Sequence, residues 1–176
     1  IEQAVGTAEA LGLHAQASAA WEILSFWHQQ AGDPPQALAA SLAAQHLARR
    51  ADAATHCRQL ANSGRCLLDI EADPPRGRAL LAEAAALAAT LGLKVMEIDW
   101  GEGLVARAEG DLAGAGKALR RAVELARLME NHWREFECMV WLATVELEAG
   151  RHAEVLLHVE EIVAAAGRMG GDMQAP

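Results

Sequence analysis

Helix-ending positions recur along this chain at intervals of about 40 residues, at Gly32, Ala72, Gly110 and Gly150, and a fixed period of that length restricts the fold more than any other feature. After each comes a start signal of graded quality. Asp33-Pro34-Pro35-Gln36 offers a capping Asp, proline at the first helical position and a Gln three residues beyond the cap. Asp73-Pro74-Pro75 repeats the device, Asp111 keeps the cap alone, and Arg151-His152 has neither. Each break followed by a start reads as a tight reversal between antiparallel helices, an αα-hairpin. One hairpin cannot bury its own apolar stripe, so several must lean on one another.

Helical periodicity supports this in the second arm of each hairpin. Leu112, Ala115, Leu119, Ala122, Ala126 and Met129 form one stripe stepping by three and four, with Lys117, Arg120, Arg121, Glu124 and Arg127 opposite. Ala37, Ser41, Ala44 and Leu47 match Ala115, Leu119, Ala122 and Leu125, and the same column holds Gly77, Leu81, Ala84 and Leu87, and Val155, Val159, Ile162 and Ala165. Tyrosine is absent and only two phenylalanines occur, and no alternating β-branched run is long enough for a strand, so an all-α fold follows. About nine helices are expected, roughly 1–12, 14–31, 34–51, 53–71, 74–91, 94–109, 111–130, 132–149 and 151–167. A repeat domain over 1–169 and a flexible tail at 170–176 complete the expected organisation. The opening helix fits the second half of a hairpin whose first half is missing, which suggests a segment of a longer polypeptide.

Gly103, Ala106, Gly110, Asp111, Ala115, Leu119 and Ala122 fall at the spacings of a tetratricopeptide repeat, and so do Trp21, Leu24, Gly32, Ala37 and Ala44. The chain resembles a tetratricopeptide-type array over essentially its full length. Its long period and its Ala-x-x-Leu-Gly-Leu links resemble, more narrowly, the arrays of large bacterial MalT-like or LuxR-type regulators and cyclases, in which an ATPase module and an output domain flank the repeats. Arg65 departs from the pattern, standing where a small residue is usual, and no tyrosine fills the inter-helix contact. The resemblance implies a right-handed superhelix of antiparallel helix pairs whose first helices line a concave inner wall. Its register selects Glu22, Phe26 and Gln29, then Asn62, Cys66 and Asp69, then Trp100, Leu104 and Arg107, then Glu137, Val140 and Thr144. The polar and aromatic members, Glu22, Phe26, Gln29, Asn62, Asp69, Trp100, Arg107, Glu137 and Thr144, are the candidate peptide- or ligand-binding residues.

The net charge of −9 repels phosphate backbones, so direct nucleic-acid binding is disfavoured. No apolar run approaches the ~20 residues that span a bilayer. Cys57, Cys66 and Cys138 are odd in number and read as buried thiols of a reducing, cytoplasmic compartment. Gly101-x-Gly103-x-x-Ala106 satisfies a relaxed dinucleotide fingerprint but has no strand before it, and Gly110 to Gly116-Lys117 misses the spacing and the Ser or Thr of a phosphate loop. Glu154, His158 and Glu161 share a helical face; three such ligands could hold zinc, but a solvated helix face has the same pattern and is the preferred reading. With no triad-like constellation, no catalytic residue, metal or cofactor is expected.

Trp21, Trp27 and Trp141 read as core-packing residues, and Trp133 as a contact near a helix start. Trp100 reads as an inner-wall aromatic between Glu97 and Arg107, although a slip of register in its short helix would bury it instead. The leading expectation is therefore a protein–protein interaction or scaffold segment of a cytoplasmic bacterial regulator, binding a peptide or another domain of the same chain. The alternative is a small-molecule sensor segment centred on Trp100 and Arg107. Unpaired faces at both ends predict dimerisation through the terminal helices.

Overall fold

The computed structural model describes residues 2–70 and 73–172. Among them are nine α-helices and no strand, packed in consecutive antiparallel pairs as the period demands. They group into two compact units, residues 1–93 and 94–176. The first unit holds α1 (Glu2–Ala10), α2 (His14–Gln30), α3 (Pro34–Ala48), α4 (Ala53–Asp69) and α5 (Pro74–Leu91). The second holds α6 (Met96–Ala108), α7 (Leu112–Leu128), α8 (His132–Glu148) and α9 (His152–Asp172). Ala72, the proposed end of the fourth helix, lies outside the described residues, as do Ile1 and residues 173–176. The last helix continues through Gly170 and Gly171 to Asp172, so the expected end at 167 is corrected; glycine weakens a helix but does not forbid it.

The helix limits follow from local chemistry. Asp33, Asp52, Asp73, Asp111 and Asn131 each accept a hydrogen bond at 2.8–3.2 Å from the backbone N–H three residues on, satisfying a donor that the helix leaves open. Gly32, Gly110 and Gly150 take left-handed φ values of 72°, 82° and 72°. The next N–H then closes onto the carbonyl five residues back at 2.9 Å, Asp33 on His28, Asp111 on Ala106 and Arg151 on Glu146. Glu130 holds the same position between α7 and α8 with φ 54°, a conformation that costs a side chain about 1 kcal/mol.

In the first unit α4 is the central rod, buried from Gln59 to Leu67 between α3 and α5. It touches α5 through glycine on both sides. A Cβ on Gly64 would stand 2.9 Å from the Gly77 carbonyl oxygen, and one on Gly77 would stand 2.9 Å from the Gly64 carbonyl oxygen. In the second unit Gly103 of α6 plays the same part, since a Cβ there would meet Leu119 Cγ at 2.7 Å. The small residue of the second repeat is thus Gly64, one place before Arg65, and Arg65 is released from the helix contact for another use. Ser18 and Ser25 of α2 donate to the carbonyls of Ala44 and Ala37 on α3 at 2.9 and 2.7 Å, so the α2–α3 contact is hydrogen-bonded.

Candidate functional site

The candidate residues of the first unit lie on α2 and α4, the first helices of successive hairpins, and the fold joins them into a polar ladder. Gln59 Nε2 donates to Glu22 Oε2 at 2.5 Å, and Gln29 Nε2 donates to Asp69 Oδ2 at 2.6 Å. Arg65 sits between these rungs, donating to Asp69 Oδ2 and Asn62 Oδ1, both at 3.2 Å. Its guanidinium is almost fully buried, and so is Asn62. A guanidinium removed from water needs such acceptors, because an uncompensated buried charge is strongly destabilising. Glu22, Gln29, Asn62 and Asp69 are therefore together, as the register required, but they hold one another. Phe26 packs edge-on against Trp27, ring centroids 5.6 Å apart at 69°.

The second unit repeats the arrangement between α6 and α8 with different chemistry. Arg107 Nε and Nη2 grip the Glu148 carboxylate at 2.5–3.0 Å, and the same guanidinium lies 5.2 Å from the Trp141 ring centroid. The paired arginine holds the Glu148 carboxyl below the usual carboxylate range. Arg134 of α8 covers the Trp100 ring at 5.8 Å and donates to Glu137 Oε2 at 3.0 Å. Thr144 is half-buried, its hydroxyl donating to the Val140 carbonyl one turn back at 2.9 Å.

Trp100 is corrected by this geometry. It is 1% exposed, so its ring is a core element under Arg134 and presents no surface to a ligand. Arg107 is engaged elsewhere, by Glu148 and Trp141. The small-molecule pair imagined from their spacing is not assembled. Trp27 is corrected in the opposite sense: expected in the core, it is 51% exposed, and Ile23 one turn before it is half-exposed. Trp21 donates its Nε1–H to Glu9 of α1 at 3.1 Å. Arg65, Gln59, Arg134, Trp141 and Glu148 escaped the sequence reading as members of these ladders, although a repeat-length spacing joins Gln29 to Asp69 and Arg107 to Glu148.

A further recess of about 420 Å³ is lined by Arg127, His132, Glu135, Glu161 and Ala164 of α7, α8 and α9. Arg127 divides its guanidinium between Glu135 at 2.8 Å and Glu161 at 2.6 Å. Glu161 is thus engaged by Arg127, and no cluster of three metal-ligating side chains occurs among the described residues. Cys57, Cys66 and Cys138 are buried without forming a disulfide, and no described helix is long and apolar enough to cross a membrane. Each unit is thus all-α and built of helical hairpins, and within each the first helices, α2 with α4 and α6 with α8, are clasped to one another by side chains. No protein-family model matches the chain, and no curated protein matches it significantly.

Proposed function

We propose that the chain is a protein-interaction segment of a cytoplasmic bacterial signalling or transcriptional regulator, taking a peptide or another domain of its own polypeptide on the face of its first helices. The observation that carries this reading is the exposure of Ile23 and Trp27, i and i+4 on α2, beside the clasped Glu22–Gln59 rung. Large apolar side chains held at a surface by a rigid scaffold are what partner recognition uses, and tryptophan is prominent among residues that dominate binding energy. Phe26 braces Trp27 from one side, so the ring is presented with little rotamer freedom to lose. Glu22 and Asp69 already serve Gln59, Gln29 and Arg65, so their part is to rigidify the platform rather than to grip a basic ligand directly.

Peptides selected from a random display library on the 176-residue chain test the reading. Trp27→Ala is expected to weaken the selected peptides at least about tenfold while circular dichroism stays unchanged. Equal affinity for the wild type and Trp27→Ala would remove α2 as the recognition surface.

A further inference from the structure

Helices α7 and α9 begin two residues after the equivalent left-handed glycines Gly110 and Gly150, so their residues can be matched one for one. In α7, Gly116, Arg120, Val123 and Arg127 face the helix that follows. Arg120 donates to Glu146 of α8, a Cβ on Gly116 would meet the same carboxylate at 3.5 Å, and Arg127 reaches Glu135. Val123, on the same stripe as Arg120 and Arg127, is 5% exposed, and Glu146 of α8 is buried. The same places in α9 hold Leu156, Glu160, Val163 and Gly167. There Leu156 is 69% and Val163 66% exposed, with Glu160 exposed between them.

The sign of the charge is reversed at the position that pairs across the helix contact. Where α7 presents Arg120 to an acidic follower, α9 presents Glu160 between two apolar residues one turn to either side. A follower carrying an acidic residue there, as α8 does at Glu146, would set one carboxylate against another. Like charges in a closing contact are unfavourable.

We infer that this face of α9 docks a basic amphipathic helix from a partner, one that lays an apolar stripe over Leu156 and Val163 and carries lysine or arginine where α8 carries Glu146. The surface is separate from the Ile23–Trp27 patch, and the inference stands on the helix register whether or not that patch binds a partner.

The probes are two blocked peptides with the sequence of α8, residues 132–148, one native and one carrying Glu146→Lys, titrated into the full chain by fluorescence anisotropy. The E146K peptide is expected to bind at least tenfold more tightly than the native one. Glu160→Arg in the protein is expected to reverse that preference, Val163→Asp to abolish binding of both, and Trp27→Ala to change neither. Retention of the wild-type preference in Glu160→Arg, no binding of either peptide, or a self-associated species that Val163→Asp dissolves without any charge preference would overturn the inference.

Discussion

Arg107 and Glu148 stand at the ends of α6 and α8, one repeat apart in sequence, and meet through a two-pronged grip at 2.5–3.0 Å with the Trp141 ring beneath the guanidinium. Gln29 and Asp69 meet in the corresponding place between α2 and α4. The polar link recurs while its chemistry changes from amide–carboxylate to guanidinium–carboxylate. What is retained is the geometry of two neighbouring first helices, not an identity of residues.

Roughly a third of each partner's side-chain surface remains in water in the Arg107–Glu148 pair. A double-mutant cycle of Arg107→Ala and Glu148→Ala is therefore expected to give a coupling of at most about 1 kcal/mol. Tryptophan emission should nevertheless shift in Arg107→Ala, because Trp141 loses its cover. A coupling of several kcal/mol in urea unfolding would show the pair to be far better shielded than its exposure indicates.

Arg65 should matter more. Its buried guanidinium holds Asp69 and Asn62 at 3.2 Å, so Arg65→Ala leaves a carboxylate and an amide short of a donor in the centre of the first unit. The expected loss is about 3 kcal/mol, read from the urea midpoint. Arg65→Ala within 1 kcal/mol of wild type would mean that water replaces the cation without penalty.

Gly64 and Gly77 allow no Cβ, each position lying 2.9 Å from the other's carbonyl oxygen. Gly64→Ala is expected to destabilise by about 2 kcal/mol or more through forced separation of α4 and α5. Gly6→Ala, on α1 with nothing within 4 Å of the added carbon, is expected to stabilise by about 0.5–1 kcal/mol from helix propensity alone. Thermal melts of the two variants should move in opposite directions; a shift of both the same way would contradict the packing.

Two carboxyls titrate below their ordinary values. Asp52 is lowered by the Thr55 hydroxyl and then by the Thr55 backbone N–H, and Glu148 by the hydrogen bonds and charge of Arg107. A carboxyl whose folded pKa is depressed stabilises the fold above its unfolded value, and that contribution disappears as pH falls through the folded value. These groups should thus leave stability unchanged from neutral pH down to about 5 and subtract from it below about 4. Carboxyl carbon NMR should find the Asp52 midpoint raised in Thr55→Val and the Glu148 midpoint raised in Arg107→Ala; unmoved midpoints would refute the assigned causes.

The limits of most helices were legible in the sequence because they depend on neighbours within five residues. An Asp or Asn side chain satisfies N–H groups of the first turn, and a glycine relieves the left-handed step at the last; both act within the chain's own reach. The grouping of the candidate residues on α2 with α4 and on α6 with α8 was also legible, since a constant period puts like positions side by side. The state of each side chain was not. Trp27 and Trp100 both lie on helices of mixed polarity, yet one is half-exposed and the other enclosed beneath Arg134.

By itself the sequence determined an all-helical chain of paired rods, most of their limits and their common spacing. Only the tertiary structure decided that Gly64 rather than Arg65 makes the close contact, that Arg65 is then free to turn into a buried clasp, and that Trp100 belongs to the core. The reason is one of scale. A single step of register rotates a helical residue by about 100°, which local propensity does not detect, whereas packing against the neighbouring rod resolves it through contacts between helices, such as Gly64 with Gly77 and Trp100 with Arg134.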